Sequence, residues 1–139
     1  MSKTVVVTGA NAGIGFQAAL NLSRMGWHVV MACRSMDKAQ RAQGEILVEV
    51  PQASTAIIAL DVSEPQSIRE FGRRFSQQTG ELDLLINNAG IVGTPLARNS
   101  VGHEMQLATN YLGAFALTGT LLPFFSRTSR ARIVNVGSL

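Results

Sequence analysis

Eight residues near the N-terminus, Thr8-Gly9-Ala10-Asn11-Ala12-Gly13-Ile14-Gly15, constrain this chain more than any other stretch. An apolar run, Thr4-Val5-Val6-Val7, precedes them, and an amphipathic segment from Phe16 to Met25 follows. The order reads as strand, glycine-rich turn, helix. A helix N-terminus presents unpaired N–H groups and the positive end of the helix dipole, so this turn suits an anion such as a pyrophosphate. Gly9 permits a sharp turn, Gly13 carries no Cβ to block a phosphate, and Gly15 allows close packing of the helix. The spacing Gly-x3-Gly-x-Gly differs from the commoner Gly-x-Gly-x2-Gly. It is not a Walker A loop either, because no Lys-Ser/Thr follows the last glycine.

The rest of the chain repeats that alternation. Gly13 to Met25 reads as a helix with Ile14, Ala18, Leu22 and Met25 on one face, ended by Gly26. Trp27 to Cys33 reads as a buried strand. Ser35 is placed to cap a helix that runs to about Glu49 and stops before Pro51. Ala56 to Leu60 is a third strand. Ser63 with Gln66 forms a capping box for a helix whose stripe is Ile68, Phe71 and Phe75, closed by Gly80. Leu82 to Ile86 is a fourth strand. A loop from Asn87 to Asn99 follows, then a long helix from about Ser100 to Phe125, then a fifth strand from Arg132 to Val136. Strands alternating with helices predict an α/β fold, a Rossmann-like doubly wound parallel sheet. At 139 residues the chain has the length of one domain, residues 1–139.

Composition excludes several classes. Hydrophobic residues make up 46% and charged residues 15%, which argues against disorder. One cysteine, Cys33, excludes an internal disulfide framework and fits a reducing, cytoplasmic compartment. The first strand starts so early that no room for a signal peptide is expected, and no apolar stretch reaches transmembrane length. No cluster of residues suggests a metal site. Twelve Lys+Arg against nine Asp+Glu give a net charge of +3. Apart from Arg127, Arg130 and Arg132 the arginines are spread along the chain, so no nucleic-acid partner is expected.

The carboxyl ends of the strands collect the unusual residues. A nucleotide fold of this kind binds its ligand there, where the strand order reverses. The glycine turn, with Asn11 and Ala12, follows the first strand. Arg34 follows the second, at the place where an NAD-preferring fold puts an acid about 20 residues past the glycines. A guanidinium there pairs with a 2′-phosphate, so NADP(H) is favoured over NAD(H), which the nearby Asp37 keeps possible. Asp61-Val62 follows the third strand. The aspartate either accepts from an adenine amino group or begins the turn into the next helix. Asn87-Asn88-Ala89-Gly90 follows the fourth, with small residues for close backbone approach and amides able to tie strand ends together. Gly137-Ser138 follows the fifth.

On these motifs the chain resembles the short-chain dehydrogenase/reductase family. Thr8-Gly9-x3-Gly13-Ile14-Gly15 matches its cofactor loop, Asp61 its adenine-side aspartate, and Asn87 to Gly90 its Asn-Asn-Ala-Gly motif. Asn110-Tyr111-Leu112-Gly113 matches the segment of its catalytic asparagine. Ile133 to Ser138 matches the strand that leads to its catalytic serine, with Gly137 where the family often has a first serine. The resemblance covers essentially the whole chain. Met31 to Arg34 and Asn110 to Pro123 look most like the retinol-dehydrogenase and WW-domain-oxidoreductase branch, which implies lipophilic carbonyls or alcohols as substrates.

The resemblance implies an oxidoreductase that moves a hydride between a nicotinamide and a carbonyl carbon. It implies cofactor contacts from Gly9, Asn11, Ala12, Gly13, Ile14, Gly15, Arg34, Asp61, Val62, Asn88, Ala89 and Gly90, and catalytic roles for Ser138 and Asn110. The family's tyrosine and lysine, spaced Tyr-x3-Lys, have no counterpart in these 139 residues. The only tyrosine is Tyr111, and the only lysines are Lys3 and Lys38. Truncation before the family's last strands is therefore expected, with doubtful stand-alone activity. It would leave Arg132 to Val136 as an exposed apolar edge strand and the long helix without partners, so self-association there is expected. A non-catalytic nucleotide-binding module is the alternative. A methyltransferase would leave the Asn-Asn-Ala-Gly motif and Asn110 unexplained.

Overall fold

A computed structural model describes residues 2–125 and 130–138. Arg127 lies outside the described residues. Five parallel strands form one sheet in the order β3-β2-β1-β4-β5. They are β1 (Thr4–Thr8), β2 (His28–Cys33), β3 (Ser54–Ala59), β4 (Leu84–Asn87) and β5 (Arg132–Asn135). Between them run α1 (Gly13–Arg24), α2 (Met36–Glu49) and α3 (Pro65–Gln78). After β4 come α4 (Met105–Leu107), a π-helical stretch (Ala108–Leu112), α5 (Gly113–Leu121) and a 3-10 turn (Leu122–Phe124).

β1 is buried along its whole length because it is the central strand and has a helical layer on each face. On one face Val5, Val7, Val29 and Met31 pack with Ala19 and Leu20 of α1 and Ala39, Ala42 and Ile46 of α2. On the other, Val6, Val30 and Leu85 pack with Ile68, Phe71 and Phe75 of α3 and Leu117 and Leu121 of α5. This two-sided layering is the expected Rossmann-like architecture. The strand order reverses between β1 and β4, so their carboxyl ends flank the crevice that such sheets use for ligands.

Several local expectations are corrected. In α1 Ile14 and Met25 are 68% and 71% exposed, and the buried residues are Gly15, Ala19, Leu20 and Ser23. Phe16, Ala18 and Leu22 pack partly buried against the same core, so only the two ends of the expected stripe, Ile14 and Met25, are left outside. The capping box at Ser63 and Gln66 does not form. Ser63 Oγ donates instead to Asp61 Oδ1 at 2.6 Å, and α3 starts from Glu64 with Pro65 in its first turn. The long helix does not start at Ser100. Residues 97–105 turn back on themselves, and Glu104 caps α4 by accepting from Gln106 N at 2.8 Å and Leu107 N at 2.9 Å. Those two N–H groups hold the Glu104 carboxyl below its usual range. β4 begins later than expected because Leu82 N donates to Phe124 O, outside the main ladder.

The Ser35 cap is present, with Oγ accepting from Lys38 N at 3.4 Å. Ser35→Ala should lower stability by about 0.5–1 kcal/mol, read as an earlier urea midpoint with unchanged slope. β5 is exposed at all four positions. Tyr111 and Phe115 on the neighbouring helical segment are 65% and 76% exposed. No described helix is long and apolar enough to cross a membrane.

Candidate functional site

The glycine turn is shaped by backbone that other residues do not easily adopt. Gly9 and Gly13 lie at φ +62° and +56°, in the left-handed region. Gly9 N donates to Ala32 O of β2 at 3.0 Å, which ties the turn to the next strand. Gly15 sits under the turn: a Cβ there would come 2.3 Å from Gly9 O and 2.4 Å from Asn88 Nδ2. Its role is close approach to the turn and to the end of β4. Ala12, the residue before α1, provides no side-chain cap, and the first turn of α1 contains no acid. The first turn itself supplies no carboxylate to compete for its N–H groups.

The two asparagines after β4 pull in opposite directions, as successive residues of a strand must. Asn87 Nδ2 donates to Asn135 Oδ1 of β5 at 2.9 Å and to Thr118 Oγ1 of α5 at 3.1 Å. Asn88 Nδ2 donates to Thr8 O at 3.1 Å and Gly9 O at 3.3 Å. Thr8 answers with its hydroxyl, which accepts from Asn88 N and Ala89 N, both at 2.9 Å. β4 is therefore clasped to both of its neighbours at their carboxyl ends. Asn87 Oδ1 is buried with no hydrogen-bond partner among the described residues.

These ends enclose an open cleft of about 350 Å³. Gly9, Asn11, Ala12, Arg34, Asp61, Val62, Asn88, Ala89 and Gly90 line it. Gly13, Ile14 and Gly15 are not among its lining residues. Asp61 lines the cleft and also begins the turn toward α3, since Oδ1 accepts from Ser63 N at 3.0 Å and from Ser63 Oγ. Cys33 is buried behind the turn. Burial pushes its thiol pKa up, opposed by the backbone N–H groups of Ala10 and Asn11, so it stays a protonated packing residue.

Asn110 lies in the π-helical stretch, and its side chain grips one residue at both ends. Oδ1 accepts from Ile91 N at 2.8 Å, and Nδ2 donates to Ile91 O at 2.7 Å. The wide turn lets the helix settle on the β3–α3 loop, where a Cβ on Gly113 would come 2.1 Å from Val62 O. Ser138 is exposed, beyond the end of β5, and does not line the cleft.

Sequence reasoning missed Ala32, Leu60, Ile91, Met105 and Thr109, and gave Thr8 no task beyond its place in the glycine motif; all six line the cleft. A small hydroxyl residue directly before Gly9 was a usable signal for Thr8. Met105 and Thr109 carry no local signal, because only the tertiary position of α4 and the π-helical stretch brings them there.

A profile of the family described as short chain dehydrogenase matches residues 3–139. Retinol dehydrogenase 13 of Homo sapiens is 42% identical over 137 residues, covering 99% of this chain and 41% of that protein. Retinol dehydrogenase 12 of Bos taurus is 40% identical over 137 residues, covering 99% and 43%. This chain thus spans about two fifths of the length of these relatives. Among solved structures, a metagenomic short-chain oxidoreductase in complex with NADP superposes with a TM-score of 0.84 at 29% identity, covering 99% of this chain and 62% of that one. Menthone neomenthol reductase from Mentha piperita gives a TM-score of 0.84 at 25% identity, covering 99% and 61%. With the glycine turn, the reversal of strand order and the clasped asparagines all in place, the chain belongs to the short chain dehydrogenase family.

Proposed function

We propose that this chain is the nucleotide-binding part of an NADP(H)-dependent oxidoreductase acting on a carbonyl or alcohol substrate of lipophilic character. The observation that carries the cofactor preference is Arg34, exposed at the end of β2 and lining the cleft where an acid would select NAD(H). Lys38 and Arg41 add positive charge beside Asn11 and Ala12, around a neighbouring cavity of about 330 Å³ that Glu45 also lines. The residues present fit a dinucleotide. A Cβ added to Gly13 would meet nothing within 4 Å, so the space over the start of α1 is open. The uncapped N–H groups of that turn would hold the pyrophosphate, Arg34 a 2′-phosphate, and Asp61 with Val62 the adenine side. When bound, the nicotinamide supplies hydride exchange with a carbonyl carbon.

The chain's own residues then have definite tasks. Ser138 would donate a hydrogen bond to the substrate oxygen. Asn110 is committed through its side chain to Ile91, so any part in a proton relay falls to its backbone carbonyl. Val92 and Leu96, 88% and 79% exposed on the segment that follows Ile91, would favour an apolar substrate. The relatives named retinol dehydrogenases act, by name, on an apolar alcohol, which supports the same reading. Association through β5 and the exposed face at Tyr111 and Phe115 belongs to the proposal too.

Calorimetric titration tests the cofactor assignment. Arg34→Ala should weaken NADPH by about tenfold to a hundredfold, the worth of hydrogen bonds to a charged group, and leave NADH within about twofold. Equal loss for both dinucleotides would sink the preference. A second reading is favoured by one specific observation, that Ser138 does not line the cleft and the Asn110 side chain is taken up by Ile91. In that reading the chain binds the dinucleotide without turning over substrate. Tight NADPH binding with no NADPH consumption across a panel of apolar ketones and aldehydes would favour it.

A further inference from the structure

The segment from Ile91 to Met105 is fastened at its start and through its second half. Ile91 is gripped by Asn110. The second half folds back as a hairpin, in which Asn99 N donates to His103 O and Met105 N donates to Ala97 O, each at 2.9 Å. Arg98 pairs antiparallel with Glu104. Ile91 and Met105 line the cleft, so this segment forms part of its wall at both ends.

The tip of the hairpin is docked on the start of α3. Asn99 Nδ2 donates to Ser63 O at 2.8 Å. The Glu64 carboxylate accepts from Ser100 N at 3.0 Å through Oε1 and from the Ser100 hydroxyl through Oε2. Glu64 occupies the N-cap position of α3 yet gives that helix no side-chain cap. Its bonding capacity goes to the hairpin instead. Pro65 follows it and restricts the backbone from which the carboxylate projects. Ser63 is in turn bonded to Asp61, which lines the cleft. A run of bonds therefore leads from Asp61 through Ser63 and Glu64 to the hairpin, and through Met105 back to the cleft.

We infer that Glu64 is a positioning residue, whose carboxylate braces the Ala97–Met105 hairpin and so sets the Met105 wall of the cleft relative to the Asp61 wall. This rests on the dinucleotide reading of the cleft. A carboxylate that accepts from an N–H and an O–H makes two charge-assisted bonds, stronger than neutral ones. They hold in one place a loop that would otherwise sample many arrangements.

The test uses Glu64→Gln and Ser100→Ala, singly and together, in the full chain. Hydrogen exchange is followed by mass spectrometry, NADPH affinity by calorimetry and stability by urea denaturation. Glu64→Gln should speed exchange in the Ala97–Met105 peptide by about tenfold, as loss of a charge-assisted bond implies, with β1 and β2 unchanged. Ser100→Ala, the milder change, should act in the same direction, and the double variant should add less than the sum because both break one contact. NADPH should bind at least threefold more weakly in Glu64→Gln, a change of about that order following from a displaced cleft wall. Unchanged exchange in the hairpin would overturn the inference, as would a uniform rise across the chain. Faster hairpin exchange with unaltered NADPH affinity would overturn the link to the cleft. If the unaltered chain binds no NADPH, the dinucleotide reading fails, and the exchange measurements alone decide whether Glu64 braces the hairpin.

Discussion

Gly15→Ala is expected to abolish dinucleotide binding and to destabilise the chain by about 2–3 kcal/mol, the upper range for inserting a carbon into a packed site. The added Cβ would lie 2.3 Å from Gly9 O, 2.4 Å from Asn88 Nδ2 and 2.9 Å from Gly9 C. None of these can yield cheaply. Gly9 is anchored through its N–H to Ala32, and Asn88 is bonded to Thr8 through both backbone and side chain. The start of α1 must therefore move outward, which spreads the N–H groups that would hold the pyrophosphate. Gly44 supplies the control. It lies within α2 with open space around its missing Cβ, so alanine there should be neutral or stabilising by up to about 1 kcal/mol. NADPH titration and urea midpoints on both variants decide the matter. A Gly15→Ala chain that binds NADPH as well as the unaltered one would remove the turn from the binding site.

Phe75→Ala should cost about 3–5 kcal/mol, the usual range for an aromatic removed from a core. Phe75 is fully buried, its ring 6.3 Å from that of Phe71 and 5.5 Å from that of Phe124. It joins α3 to the chain beyond α5, so the cavity left behind would loosen that whole face of the sheet. Set against a total stability of about 5–15 kcal/mol for a domain, this is enough to leave a large unfolded population. Circular dichroism through a urea titration measures it. A loss below about 1 kcal/mol would mean that neighbouring side chains collapse into the space, and that this layer is less tightly packed than its burial implies.

Much of this was legible because strand, turn and helix each carry a local signature. The uncharged β-branched run at Thr4 to Val7 needs two covered faces, and it has them. The glycines, Ser35 and the Ile68-Phe71-Phe75 stripe lie where their own chemistry puts them. The misses share a cause, which is competition settled by tertiary contacts. Ser63 looked like a cap for α3, but the Asp61 carboxylate two residues away took its hydroxyl. Ser100 looked like the start of a helix, but Glu64, 36 residues earlier, took its N–H and hydroxyl. The π-helical stretch has no composition of its own. It accompanies the close approach of Gly113 to the Val62 carbonyl, a tertiary contact that no periodicity announces. In the cleft, the residues that line it from the turns were legible, and those contributed by the helix were not.

Asn87 and Asn88 also bear on how the sheet assembles. A β4 that docked one residue out of step would turn every side chain to the opposite face. Asn87 would lose Asn135 and Thr118 and Asn88 would lose Thr8; the buried Asn87 amide left without partners costs about 1–3 kcal/mol, and the half-buried Asn88 less. Apolar residues such as Leu84, Leu85 and Ile86 discriminate poorly between neighbouring alignments, since each suits either layer. The adjacent amides therefore act as a proofreading step on strand alignment. The sheet closes over β4 at full strength in one register, the same register that brings the ends of β1 and β4 together around the cleft.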